Sequence, residues 1–215
     1  MRLFYIEKKN YFQQNPKKSE AFNYFPGKLL LIMNEFFNNQ KNSQKVCKNI
    51  SFWETFLSSF FSPKIIFCII MNQEDNQWVF KSGYETLPLI YKEKYTENLA
   101  LISISLDEPH EYILSPTKKD GNRYMLKINK LSKVEKKGNN YILTNGILTV
   151  IFDKYFKIIN YEFQSLSHKK LNNEDNKDEL LNDLGLTPQF SRSLVISEVL
   201  TEMNKSIDDF IDKFI

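Results

Sequence analysis

Arginine, glycine, histidine and cysteine are all scarce in this chain of 215 residues, and each shortage removes a class of function. Arginine occurs only at Arg2, Arg123 and Arg192, so the 29 basic residues that face 26 acidic ones are almost wholly lysine, dispersed among carboxylates. A nucleic-acid reader gathers its charge on one face and aims arginines at base edges, so direct nucleic-acid binding is not expected. Six glycines leave little material for a phosphate-cradling loop, and no G-x-S-x-G occurs. The two histidines, His110 and His168, stand alone in polar, turn-like settings, and Cys47 and Cys68 lack any close partner of the metal-finger type. No catalytic residue, metal or cofactor is expected from this set, nor an enzyme. A disulfide framework is excluded by the cysteine count, and no window approaches the roughly 18 apolar residues of a membrane span. The N-terminus also lacks an apolar stretch of signal-peptide length, so the expectation is a soluble, intracellular protein with no membrane partner.

Large aromatic side chains, by contrast, are plentiful, at 14% of the chain. The stretch Ser51 to Met71 (SFWETFLSSFFSPKIIFCIIM) concentrates them. Ser51 with Glu54 reads as a capping box, and Trp53, Phe56, Leu57, Phe60 and Phe61 follow at helical spacing on one face. Ser62-Pro63 is expected to end that helix, and Ile65 to Met71 to form a strand buried on both faces. An aromatic stripe of that kind needs a broad support, so the pair predicts a helix packed on a sheet.

Upstream, residues 1 to 26 read as a polar arm, Leu29 to Phe37 as a helix with a stripe of Leu29, Ile32, Met33, Phe36 and Phe37, and Asn38 to Asn49 as a solvated linker or frayed helical end. Downstream, Asn72 to Asn76 predicts a turn and Gln77 to Lys81 the returning strand. Glu85 to Tyr95 predicts a short helix with Thr86 or Leu87 near its cap and Pro88 in its first turn, where a missing N–H costs little. Leu87, Ile90, Tyr91 and Tyr95 share one side of it, and Tyr91 and Tyr95 suit either a core or a subunit contact. From Leu99 to Gln164 the pattern is strand-like: Leu99 to Leu106, Tyr112 to Leu114, Tyr124 to Ile128, Val134 to Gly138, Tyr141 to Leu143, Ile147 to Phe152 and Ile158 to Phe163. Asn145-Gly146 reads as a two-residue hairpin turn. About six to eight sequentially connected strands predict a largely antiparallel sheet, and hence an α+β fold in which helices cover a curved sheet.

Residues 172 to 178 are polar and low in complexity, a linker by composition, and Glu179 to Leu184 a short helix. Thr187-Pro188 supplies a cap and a first-turn proline for a helix of about seven turns. Its apolar stripe of Ile196, Val199, Leu200, Met203, Ile207, Phe210, Ile211 and Phe214 exceeds what one sheet edge can cover, so an interface with another polypeptide is favoured over intramolecular docking. The acidic pairs Asp107-Glu108, Glu174-Asp175 and Asp208-Asp209 read as solvated turns or helix exterior.

The order FWETFLSSFF, an apolar strand, a returning strand, Thr86-Leu87-Pro88 with Tyr91, and Asn98 to Leu106 resembles the LIM-domain-binding proteins, nuclear co-regulators of the Chip and SEUSS type. The likeness continues through Gly146 to Asp153, Ile158 to Phe163, His168 to Leu171 and Leu184 to Pro188, and covers about residues 50 to 210. What it implies is an NTF2-like domain over residues 1–171 that homodimerises, followed at 179–215 by a helical region that docks LisH-type co-regulators called single-stranded-DNA-binding proteins. On that basis Leu87, Leu89, Ile90, Tyr91 and Tyr95 are dimer candidates, and Phe190, Leu194, Ile196, Val199, Leu200, Met203 and Ile207 docking candidates. The resemblance implies a nuclear, non-enzymatic transcriptional adaptor that bridges transcription-factor complexes. In the family the LIM-contacting segment lies further on, past a long disordered stretch, whereas this sequence runs to Ile215. The rival expectation is an NTF2-like pocket protein, a small-molecule carrier or isomerase/cyclase-type enzyme, recognisable by a polar cavity with buried ionisable groups.

Overall fold

The computed structural model describes residues 24–43, 48–73, 76–96, 99–117, 121–137, 140–171 and 186–214. The expected arm up to residue 23, Cys47, the linker 172–178 and the short helix 179–184 lie outside them. Four helices and six strands follow in the order α1 (Lys28–Asn42), α2 (Ile50–Phe60), β1 (Phe61–Gln73), β2 (Asn76–Ser82), α3 (Leu87–Thr96), β3 (Leu99–Thr117), β4 (Gly121–Lys137), β5 (Asn140–Phe152), β6 (Ile158–Lys170) and α4 (Pro188–Phe214). The strands form one mixed sheet in the order β2-β1-β6-β5-β4-β3. Every neighbouring pair is antiparallel except β1 and β6, which run parallel. The α+β class and the mainly antiparallel sheet are therefore as the sequence predicts. α3 connects β2 to β3, the two opposite edges of the sheet.

Several local readings change. α2 starts one residue before Ser51, because the side chain of Asn49 accepts the Ser51 amide at 3.0 Å and takes the cap position. Proline 63 does not separate helix from strand: β1 begins at Phe61 and the proline sits in the register shift between Phe61 and Ile66. A proline is tolerated there because a bulge has no ladder bond to lose. Ile66 is exposed, so β1 is not covered on both faces until Phe67.

Asn145-Gly146 makes no turn. Both residues lie inside β5, where the pairing with β6 slips between them. A Cβ on Gly146 would stand 2.3 Å from the Gln164 carbonyl oxygen and 2.6 Å from the Phe163 ring, so glycine is required by close backbone approach at a bulge. Likewise β3 continues through Asp107 and Glu108 instead of breaking, with Glu108 at a φ of 53°. Both misreadings take a polar interruption for a chain reversal.

One core unites the elements. Trp53, Phe56, Leu57 and Phe60 of α2, Leu29, Met33, Phe36 and Phe37 of α1, and inward residues of the sheet such as Phe67, Leu126, Val150 and Phe163 are all buried in it. Fully burying one such side chain stabilises the fold by roughly 1.5–3 kcal/mol. α1 is fixed from the β3 edge of the sheet: the Glu111 carboxylate of β3 accepts from the Gly27 and Leu30 amides at 3.0 and 2.9 Å and from the Tyr24 hydroxyl at 3.0 Å. A carboxylate at a helix N-terminus satisfies amides that have no partner within the helix. The Tyr24 ring also stacks on Tyr124, which straps the residues just before α1 to the sheet.

Gly146→Ala is predicted to destabilise the protein by about 3 kcal/mol through overpacking, with Asn145→Ala well under half of that, measured by urea denaturation. Equal effects at both positions would contradict the bulge.

Candidate functional site

α4 docks on the body with one face and leaves the other bare. Thr187 caps it by accepting the Phe190 amide at 3.1 Å, with Pro188 at the first helical position as expected. Phe190, Leu194, Ser197 and Thr201 fall on the inner side at helical spacing, against β2 and α3. The contact ends in a buried hydroxyl cluster: the Ser197 hydroxyl lies 2.7 Å from that of Ser82 and 2.9 Å from that of Thr86, donating its one proton to one and accepting from the other, and Ser82 and Thr86 lie 2.6 Å apart. Thr201 accepts the Gly83 amide at 3.0 Å. Small hydroxyls let the helix approach closely, and each finds a partner.

The docking candidates thus divide. Phe190 and Leu194 are buried within the subunit, a correction to their reading as partner contacts, whereas Ile196, Val199, Leu200 and Met203 are exposed, with Val199 and Met203 each at 54%. Val195 joins them at the surface. The side chain of Ile207 lies outside the described residues. Beside this apolar strip run Glu198 and Glu202, which give it an acidic border.

The dimer candidates on α3 need correction as well. Leu87, Ile90, Tyr91 and Tyr95 are all buried in the subunit's own core, and only Leu89 reaches the surface. Tyr95 stacks on Trp53 and its hydroxyl donates to Gln40 of α1 at 2.9 Å; Tyr91 packs against Phe36, Trp53 and Phe67. The helix faces both α2 and the sheet, which uses up the side that the sequence left open between core and interface.

Sequence reading missed a cavity of about 50 Å³ between α1, α3 and the sheet, where a few polar groups are set in a mostly apolar lining that includes Phe190. Glu135 of β4 points into it, with Lys94 Nζ 2.8 Å from one carboxylate oxygen and Lys133 Nζ 3.0 Å from the other. Burial pushes the Glu135 carboxyl up, but the ammoniums of Lys133 and Lys94 outweigh it and hold the group at about 2. Burial also draws Lys133 below its ordinary value, against the pull of Glu135. Gln40 and the tyrosines Tyr91 and Tyr161 complete the polar wall. The available signal was the alternation Leu131, Lys133, Glu135 on one face of a strand whose apolar member points inward.

Elsewhere the isolated reactive residues stay isolated. His110 is exposed and His168 half-buried, and Cys68 is a buried free thiol whose pKa burial pushes up. Among the described residues no group of histidine, cysteine and carboxylate side chains could hold a metal, and no helix is long and apolar enough to cross a membrane.

The sequence pattern of the LIM-domain binding proteins matches residues 31–173, about two thirds of the chain and nearly all of the sheet-bearing body. The chain belongs to that family. No curated protein matches it significantly in sequence. Solved structures of similar fold include a naphthalene 1,2-dioxygenase, with 7% identity and a TM-score of 0.46 over 68% of this chain and 83% of that one. Others are the epoxide hydrolase/cyclase-like enzyme SalBIII (10%, 0.37, 64% and 90%) and an NTF2-like protein from Exiguobacterium sp. 255-15 (11%, 0.35, 62% and 97%).

Because Glu135 titrates lower in the folded chain than in the unfolded one, its stabilisation is complete above roughly pH 4.5 and drains away as the pH falls towards 2. Glu135→Gln is predicted to cost about 2 kcal/mol at pH 7, since the half-buried ammoniums of Lys94 and Lys133 lose the carboxylate they share. The same variant should flatten the stability profile between roughly pH 4.5 and 2, as followed by urea denaturation at each pH.

Proposed function

We propose that the protein is a non-enzymatic adaptor that works by protein–protein contact, self-associating as a homodimer and offering the outer face of α4 to a second polypeptide. The observation that carries this reading is the split of α4: its inner face is anchored by the hydroxyl cluster, while Val195, Ile196, Val199, Leu200 and Met203 have no cover. Membership of the LIM-domain binding family supports LIM-domain proteins as a partner class of the protein, and LisH-type co-regulators, which the resemblance implies for residues 179–215, are the partners proposed for the α4 face. The setting is transcription in the nucleus, where a two-fold dimer carries two copies of each docking surface and raises the effective concentration of one tethered complex near another. On this reading residues 1–171 self-associate through a surface other than the buried side of α3.

A second reading, a pocket protein that carries or converts a small molecule, draws on the Lys94–Glu135–Lys133 cluster. Volume stands against it. The cavity holds about 50 Å³, whereas pockets for drug-sized ligands run to roughly 300–1,000 Å³.

Val199→Asp with Leu200→Asp is predicted to leave the melting temperature unchanged and to abolish capture of LisH-type partners in a pull-down. Sedimentation at micromolar concentration should give a dimer for both the parent and the double variant. Retained capture by the variant, or a strict monomer, would defeat the proposal.

A further inference from the structure

The walls of the interior cavity carry more positive charge and more hydrogen-bond donors than they can use among themselves. Lys94 and Lys133 share a single carboxylate, that of Glu135, which leaves one positive charge uncompensated in a space otherwise lined by residues such as Phe67, Ile104 and Phe163. Gln40, only 3% exposed, spends its side-chain oxygen on the Tyr95 hydroxyl and leaves its Nε2 with no acceptor. A buried donor without a partner is destabilising, and the half-buried ammoniums of Lys94 and Lys133, with side-chain exposures of 16% and 21%, keep one surplus positive charge beside it. These groups come from α1, α3 and β4, elements remote in sequence, and they converge on the same hollow.

We infer that the cavity is a binding site for one small monovalent anion, a halide or a carboxylate the size of formate, held between the Gln40 amide and the Lys133 and Lys94 ammoniums. Charge selects the class: a water molecule would accept from Gln40 but leave the net charge of the trio in place, and a dianion would overshoot it. Size agrees, since about 50 Å³ admits only a few heavy atoms when a single water needs roughly 10–15 Å³ of such space. The bound ion joins α1, α3 and β4 at a point where Phe190 forms part of the wall, so occupancy also steadies the seat of the first turn of α4. This site is independent of the adaptor role and implies no reaction.

Crystals of the full chain grown in sodium bromide test the site directly, with thermal unfolding followed in parallel as bromide or formate replaces gluconate at constant ionic strength. The expected result is a bromide anomalous peak within hydrogen-bond reach of Gln40 Nε2 and Lys133 Nζ, together with a saturable rise in melting temperature. Lys133→Met, which removes the surplus charge, should lose both. Gln40→Glu, which sets a fixed negative charge where the ion would lie and keeps an acceptor for Tyr95, should lose both as well and guards against a folding failure in the first variant. Water density alone, a Gln40 amide turned with its oxygen towards the lysines, or an identical salt response in parent and variants would overturn the inference.

Discussion

Phe36 is the contact on which the rest of the molecule depends. Its fully buried ring meets Phe37, Phe56, Phe60, Phe61, Tyr91 and Tyr161, and so ties α1 to α2, to α3 and to both members of the parallel strand pair, β1 and β6. Several of these pairs are edge-to-face, the geometry that adds about 0.5–1.5 kcal/mol to the area buried. A cluster of this kind is directional as well as apolar. It fixes the angle at which α2 and α3 cross the sheet, and with it the position of β2 and Thr86, which receive α4.

That arrangement separates two uses of apolar side chains. The aromatic residues of α2 and α3 are spent inside the subunit, whereas the aliphatic strip on α4 faces outward. α4 can serve both sides because its inner face is narrow, a line of Phe190, Leu194, Ser197 and Thr201, and takes its hold from hydroxyl bonds to Ser82 and Thr86 and to the Gly83 amide. Polar anchoring leaves more of the helix circumference free than an apolar seam would. The expectation of a surplus apolar face was therefore right in kind, but it placed Phe190 and Leu194 on the wrong side of the helix.

Much of the fold was legible in the sequence because it depends on short-range patterning. The aromatic stripe from Trp53 to Phe60, the cap at Thr187 and the strand stretches Ile147 to Phe152 and Ile158 to Phe163 each rest on residues close together in the chain. What escaped depends on partners far away. Gly146 looks like a turn glycine until Gln164 and Phe163 of β6 are seen beside it. Lys133 and Glu135 look like a solvated strand face until Lys94 and Gln40 close over them. Tyr91 and Tyr95 could be core or interface until α2 supplies Trp53. No local pattern distinguishes those outcomes.

Methionine oxidation footprinting tests the central claim most directly, because the chain supplies its own controls. Met203 is 54% exposed on the outer strip, while Met33 and Met71 are buried at 0% and 5%. In the isolated protein Met203 should oxidise readily and the other two resist; in complex with a captured partner polypeptide Met203 should become protected as well. Oxidation of Met203 at the same rate in the complex as in the isolated protein would contradict the account.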